Sequence, residues 1–328
     1  MAKHKYFSSV IALRGLAALV VGLFHFTKGF SHDDSVMKML TSYGWMGVEV
    51  FFVISGFVIP YSLLKKGYKL KHYGKFLLKR IVRIHPAYVL SIFGVIILNY
   101  LSTQFQIYEG KPFQWSTELI AQHFFYVVEF FDNVWLNPVY WTLAVEFHYY
   151  IIIGLLIAVW NLSNKNWIAI TFVLFVMLSF VNIENVKFLR YTDIFAIGTL
   201  CAFLKKEIIN KGLYLIAAAV LVIIISYNHG IILGILTFSS SIIMAFYDAN
   251  FNKGALLFLG NISYSLYLLH VPIGGRIINI AKRYDLGEAQ KILVILFAMT
   301  VSIIAAWMFY ILVEKPSHKW SQRIKVNS

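Results

Sequence analysis

The chain contains 328 residues, of which 59% are hydrophobic and only 13% are charged. Ordinary soluble domains carry about 45–50% apolar and about 25% charged residues, so a soluble fold of this length could not bury so much apolar surface. The net charge of +14 does not indicate nucleic-acid binding, because the cations lie in short loops between apolar runs and no folded basic domain carries them.

Long apolar runs follow one another along the whole chain and predict an all-α, polytopic membrane bundle with one domain over residues 1–328. The first run follows Lys3 and Lys5, but Arg14 interrupts it and no small-residue cleavage site follows, so we interpret it as a retained helix. The ten predicted spans are residues 8–29, 42–64, 82–102, 141–160, 167–182, 190–204, 213–228, 230–247, 256–279 and 292–313.

The loops between the spans predict the orientation of the bundle. If both termini are cytoplasmic, the inner loops carry far more Lys and Arg than the outer loops, and loop 65–83 is the richest of them. The sizeable outer segment is 103–140. Its stretch Glu118–Phe131 alternates polar and aromatic residues, which predicts a segment lying flat on the membrane interface.

Several ionisable side chains fall inside spans, where they are costly and usually functional. At about 1.5 Å per residue, four spans place such groups at similar depths near the outer side. These groups are His25, Glu49, Glu146, His148 and His270. We interpret the layer as a chemical site; the alternative is a set of structural hydrogen bonds between helices.

Two arginine elements predict an anion-binding region nearer the inner side. Arg14 and His25 lie about three helical turns apart, so both face the same way at a separation of about 16 Å. Arg80 and Arg83 are i,i+3 neighbours in KRIVRIHP and suit a phosphate group. The alternative is that the basic loop contacts anionic lipid headgroups.

The remaining polar groups in the spans allow two interpretations each. Asn261, Tyr264 and Tyr267 could donate hydrogen bonds within the site or only connect helices, and His270 could belong to the site or pack against it. We expect Asp193 to pair with Arg190, and Glu314 to partner Arg14 or Arg83. Cys201 lies in an apolar run without Cys/His zinc spacing, so we expect no metal.

Six motifs occur in one order along nearly the whole chain: LRGLA followed by His25, GVEVFFVISGF, KRIVRIHPAY, WTLAVEFHYY, LGNISYSLYLLH and VEKP. Together they resemble the acyltransferase-3 family of membrane O-acyltransferases. The family's Arg, ten residues, His element falls on Arg14 and His25, and its RxxR element falls on Arg80 and Arg83. Glu49 stands at a position where Asp is frequent in this family, and Glu has the same negative charge as Asp.

The resemblance implies ten helices in a bacterial plasma (inner) membrane, with acetyl-CoA or another acyl-CoA as donor. It implies a hydroxyl acceptor on an extracytoplasmic carbohydrate or a small molecule. Many relatives carry a fused SGNH-type esterase domain; this sequence ends at Ser328, soon after the tenth span, so we expect the stand-alone form.

A mechanism follows as a hypothesis. The phosphates of acyl-CoA contact Arg80 and Arg83, with Arg14 as a further partner, and the thioester reaches His25. His25 acts either as the base toward the acceptor hydroxyl or as a nucleophile that carries the acyl group, and Glu146 or Glu49 orients it. The alternative function is a proton-coupled transporter of a small solute, although no repeated halves are found.

Overall fold

The computed structural model describes residues 8–31, 35–64, 67–105, 115–160, 165–247 and 254–326. These residues fold into helices without strands, which confirms the all-α prediction, while Lys3, Lys5 and Lys65 lie outside the described residues. The long helices are α1 Ser8–Thr27, α2 Gly47–Leu64, α3 Tyr73–Thr103, α4 Tyr140–Trp160, α5 Lys165–Met177, α6 Thr192–Lys205, α7 Lys211–His229, α8 Ile231–Phe246, α9 Ala255–Leu269 and α10 Glu288–Phe309.

The lengths and apolar character of these helices make the chain a multi-pass membrane protein. Within the described ranges, seven are long and apolar enough to cross a membrane: α1, α2, α3, α4, α7, α9 and α10 with their continuations. Helix α8 and the stretch Asn166–Phe180 are shorter apolar helices, and α6 has 14 residues. Each of the ten predicted spans overlaps a helix, but the count of ten crossings and the orientation stay predictions.

Helix α3 begins earlier than the sequence predicts. It starts at Tyr73 rather than near residue 82, and Arg80 and Arg83 lie on it as the i,i+3 neighbours that the sequence predicts. The first turns are amphipathic, with Phe76 buried and Lys75 exposed. Because a hydropathy pattern detects only the apolar part of a helix, it places the start of an amphipathic extension too late.

Glycines allow two helix pairs to approach closely. A Cβ atom added at Gly15 of α1 would lie 2.7 Å from the backbone nitrogen of Gly260 in α9. In the pair α2 and α6, a Cβ at Gly56 would collide with the Phe195 carbonyl oxygen, and one at Gly198 with the Val53 carbonyl oxygen. Small residues at such crossings let backbones touch, which favours association of helices within a membrane.

Contacts between helices fix their directions. Gly15 lies beside Gly260 and Gly22 beside His270, so α1 and α9 run parallel. Gly44, just before α2, lies beside Phe24 near the end of α1, so α2 returns antiparallel to α1. We call the end of the bundle where α1, α3 and α9 begin the N-terminal face, and the other end the opposite face.

The segment between α3 and α4 packs against the bundle, and a position of Glu118–Phe131 flat on the membrane interface stays a prediction. It forms the helix Thr117–Phe124 and the 3₁₀ turn Val128–Phe131. His123, Tyr126 and Glu129 are all buried. Their spacing of three residues matches the turns of this segment, so one face is buried while the intervening residues remain outside.

Candidate functional site

Two imidazoles meet near the opposite face. The ring centroids of His25, in the last turn of α1, and His270, directly after α9, are 5.2 Å apart. His270 is fully buried, whereas His25 is half-buried. Parallel packing of α1 and α9 brings them together, so the structure places His270 with the predicted site residue His25.

The hydrogen bond of His270 determines which of its nitrogens carries the proton. Its Nδ1 lies 3.0 Å from the carbonyl oxygen of Leu266. A carbonyl oxygen only accepts, so Nδ1 donates, and in the neutral ring the buried Nε2 is left with a free lone pair. That Nε2 atom has no hydrogen-bond partner. His270 also opens the π-helical turn His270–Gly274, a distortion that is frequent at functional sites.

A cluster of guanidinium groups lies toward the N-terminal face. Arg14 of α1 interacts electrostatically with Arg83 of α3 and with the carboxylates of Glu314 and Glu146. Glu314 accepts hydrogen bonds from the Ser265 hydroxyl at 2.6 Å and the Ser265 backbone N–H at 3.2 Å. It is also within electrostatic range of Arg14 and Arg83, and a direct ion pair with either arginine stays a prediction. His318, which the sequence analysis did not single out, interacts electrostatically with Arg14, Arg80, Arg83 and Lys79.

Arg80 and Glu146 face a narrow cavity between α3, α4 and the packed segment. Arg80 is buried, lies 5.8 Å from the centroids of the Phe76 and Tyr150 rings, and has an unpartnered Nε atom. Glu146 accepts hydrogen bonds from the Tyr150 hydroxyl at 2.6 Å and from the Ser55 hydroxyl. The cavity lining also includes Ile81, Ile84, His85, Tyr126, Leu143 and Phe147.

These contacts place Glu146 with the arginines rather than with His25. Tyr126 stacks between Tyr88 and Phe147, with ring centroids 4.7 Å from each. Sequence reasoning missed Tyr126, because it belongs to a segment expected to lie outside the bundle. The contact between Tyr150 and Glu146 could have been predicted from the sequence, because Tyr150 follows Glu146 by one helical turn and faces the same way.

Tyrosines on α9 connect the two regions. Tyr264 interacts electrostatically with Glu314 and Glu146 and donates a hydrogen bond to the Ile84 carbonyl oxygen at 3.1 Å. One turn later, Tyr267 shares a 2.7 Å hydrogen bond with Thr142, and its ring lies 5.8 Å from that of His270. Asn261 is exposed and makes no hydrogen bond to the other predicted site residues, all of which are described.

A second polar cluster lies at the opposite face around Tyr191. This side chain interacts electrostatically with Glu49, Glu129, Arg190 and Asp193. Glu49 is also within electrostatic range of Tyr267. The structure therefore places Glu49 near this cluster, and it shows no hydrogen bond from Glu49 to His25, both of which are described.

The predicted pairing of Asp193 with Arg190 is wrong. The buried Asp193 accepts a 2.9 Å hydrogen bond from Asn228 and pairs with His229 at 3.3 Å, while Arg190 is exposed. Spacing of i,i+3 allows an ion pair on one helix, but Arg190 ends the short helix Lys187–Arg190 and Asp193 is the second residue of α6. The break at Tyr191 turns the two side chains apart.

The sequence as a whole matches a known family. The model described as "Acyltransferase domain", Acyl_transf_3, matches residues 7–311. The chain is 23% identical to the O-acetyltransferase OatA of Staphylococcus aureus strains NCTC 8325 and COL, over 97% of this chain and 58% of the relative. The chain thus spans less than two thirds of the length of these curated relatives. No solved structure matches it. The family match covers nearly the whole chain, and the chain belongs to the acyltransferase-3 family.

Proposed function

We propose that the protein is a membrane O-acyltransferase that moves an acyl group, acetyl in the simplest case, from acyl-CoA to a hydroxyl of a cell-surface carbohydrate or lipid-linked sugar. The observation that carries the proposal is the paired imidazoles of His25 and His270, with Tyr267 beside them and Tyr264, one turn earlier on α9, within electrostatic range of Glu146 and Glu314. The match to the acyltransferase-3 family and the O-acetyltransferase name of the relatives support the same reaction.

The N-terminal face supports binding of an anionic donor. Arg14, Arg80 and Arg83 carry more positive charge than Glu146 and Glu314 neutralise. Like charges repel at close range unless an anion balances them, and guanidinium groups bind phosphate through paired hydrogen bonds. The phosphates of acyl-CoA are the balancing charge in this proposal, and no metal is needed for it.

The histidine pair supports direct transfer. In this proposal a turn of the His25 ring lets its N–H donate a hydrogen bond to the Nε2 lone pair of His270, which aligns the His25 ring and leaves its other nitrogen as a base toward the acceptor hydroxyl. The hydroxyl oxygen then bonds to the thioester carbonyl carbon and its proton passes to His25. The carbon–sulfur bond breaks, the thiolate of CoA takes a proton from the imidazolium, and the ester remains on the acceptor.

The charge distribution supports an orientation for this reaction. The loops at the N-terminal face carry more Lys and Arg than those at the opposite face, and cytoplasmic loops of membrane proteins are enriched in Lys and Arg. The proposal therefore places both termini in the cytoplasm of a bacterium, in its plasma (inner) membrane, with the donor bound from inside. The opposite face, with His25 and His270, then meets the acceptor outside.

The test compares cells that produce the protein with cells that produce the His25→Ala variant. Mass spectrometry of the surface glycans should show an added acyl mass in cells with the wild-type protein and none in cells with the His25→Ala variant. Loss of the base should lower the rate of acyl transfer by about 10²–10⁴-fold, so the added acyl mass should fall to the background of cells that lack the protein. Equal amounts of folded protein in the membrane are the control. Full acylation by the His25→Ala variant would remove the proposed base.

A further inference from the structure

A proline deprives one backbone carbonyl at the end of α9 of its usual donor. In a regular helix the N–H of residue 272 would donate to the carbonyl oxygen of residue 268, but Pro272 has no N–H. Leu268 is fully buried, and buried backbone carbonyls are almost always paired. The carbonyl of Leu268 therefore needs a donor from another element, and it lies only two residues before His270.

The side chain of Asn137 supplies this donor. Its Nδ2 atom donates a 3.1 Å hydrogen bond to the Leu268 carbonyl oxygen, and the residue is buried. Its Oδ1 atom accepts from the Val139 backbone N–H at 3.4 Å. Its own carbonyl oxygen accepts from the N–H of Tyr140, the first residue of α4, at 3.0 Å. The start of α4 thus orients the amide so that its NH₂ group points at α9.

A third histidine anchors the backbone on the other side of Asn137. The Leu136 backbone N–H donates to the Nε2 atom of His123 at 3.0 Å, and the Nδ1 atom of that ring lies 2.8 Å from the Leu119 carbonyl oxygen. In the neutral ring both bonds form only when the proton is on Nδ1. His123 is fully buried. The segment between α3 and α4 therefore holds Asn137 firmly in place.

A second side chain holds the later part of the same turn. The Nη1 atom of Arg276 donates to the Pro272 carbonyl oxygen at 2.5 Å, and its Nη2 atom donates to the Oδ1 atom of Asn99 on α3 at 2.6 Å. The π-helical turn His270–Gly274 is thus tied to other elements both before and after the proline. Because π-helical turns are rare, these contacts stabilise a shape that the local chain does not favour.

We propose that Asn137 is a positioning residue for the histidine pair, and that its hydrogen bond to the Leu268 carbonyl oxygen fixes the turn that presents His270 to His25. The use of the pair in acyl transfer rests on the proposed function. Without the bond, the Leu268 carbonyl is left unpaired and the turn moves to find another donor. A displacement of about 1 Å is enough to weaken a catalytic contact severely.

NMR of the full chain with ¹⁵N-labelled histidine in lipid nanodiscs tests the position of the ring. Spectra of His25→Ala and His270→Phe assign the two imidazoles. Asn137→Leu keeps the branched shape and removes the amide, so it should shift the His270 resonances, and the smaller Asn137→Ala is a second variant that should shift them too. Asn133→Ala is the matched control, because Asn133 lies in the same segment and donates to Gln122 instead of α9. Unchanged His270 resonances in the Asn137 variants would overturn the inference.

Acyl-transfer kinetics separate positioning from a general loss of stability. Asn137→Leu should lower kcat about tenfold and leave the KM for acetyl-CoA unchanged, because the arginine cluster is not altered. In the His270→Phe background the same substitution should have no further effect, since residues that act through one another are not additive. An equal loss in both backgrounds would contradict the positioning role, because destabilisation acts whether or not His270 is present.

The two measurements distinguish this inference from the proposed function. If Asn137→Leu shifts the His270 resonances and wild type transfers no acyl group, the proposed function is wrong and the positioning of His270 stands. If wild type transfers the acyl group and Asn137→Leu changes neither the resonances nor kcat, the positioning is wrong and the proposed function stands.

Discussion

His25 and His270 differ in their surroundings although their rings are neighbours. His270 is fully buried and held by one hydrogen bond to a backbone carbonyl, whereas His25 is half-buried in the last turn of α1. The difference suits separate roles. The accessible ring can meet a hydroxyl and the thioester, while the buried ring fixes its orientation, as the third member of a catalytic triad does.

Replacement of His270 by Phe should lower acyl transfer by about 10²-fold or more, because an aromatic ring is kept while the Nε2 lone pair is lost. The substitution also removes the hydrogen bond from Nδ1 to the Leu266 carbonyl oxygen, so the unfolding midpoint is measured together with the activity. The control is His148→Phe, since His148 stacks on Phe130 with ring centroids 5.5 Å apart and should keep its packing and the activity. Radiolabelled acyl transfer measures both. Equal activity in the two variants would contradict the role of His270.

At the scale of single residues, the sequence predicted helix faces but not partners. The spacing of Arg14 and His25 places both on one side of α1, and each has site residues beside it. The partners of Glu146 could not be predicted, because they depend on which helices are neighbours: Ser55 comes from α2, while Tyr150 lies on the same helix. The same limit applies to Asp193, whose partners come from the end of α7.

The crossing of α2 and α6 depends on Gly56 and Gly198, because backbone atoms of the other helix occupy the place of a Cβ atom at each. Gly56→Ala should therefore destabilise the protein by about 1–3 kcal/mol, since helices in a packed core must shift to admit a methyl group. Thermal unfolding in one detergent measures the change.

Gly94 of α3 provides the matched control, because nothing lies within 4 Å of its added Cβ. Gly94→Ala should leave stability unchanged or increase it by about 0.5–1 kcal/mol, since alanine restricts the unfolded chain and favours helix. Similar destabilisation by the two substitutions would show that close packing at Gly56 is not the cause.

At the scale of elements, apolar periodicity predicted where the helices lie but not their irregular parts. The π-helical turns His270–Gly274 and Tyr310–Glu314 interrupt segments that read as continuous spans. Pro272 is a local signal for the first, because proline removes a backbone donor, whereas no proline lies in the second turn. His123 and Tyr126 pack against α3 and α4, and Glu129 pairs with Lys187; a local pattern does not contain these contacts.

At the scale of the whole molecule, the bundle separates two kinds of chemistry. Guanidinium groups gather toward the N-terminal face, and imidazoles and buried carboxylates gather toward the opposite face. Helices α1 and α9 run side by side between them and carry residues of both regions. This separation is what an enzyme needs if its donor and acceptor reach it from different sides of a membrane.

The central claim of the proposal is that the arginine cluster binds acyl-CoA and that the histidine pair transfers its acyl group to the acceptor hydroxyl. Equilibrium binding of radiolabelled acetyl-CoA in nanodiscs, compared among wild type, Arg80→Ala/Arg83→Ala and His25→Ala, tests it most directly. Loss of two charged phosphate contacts should weaken binding by about 10²-fold, while His25→Ala should bind as wild type does. Unchanged affinity in the double arginine variant would contradict the account.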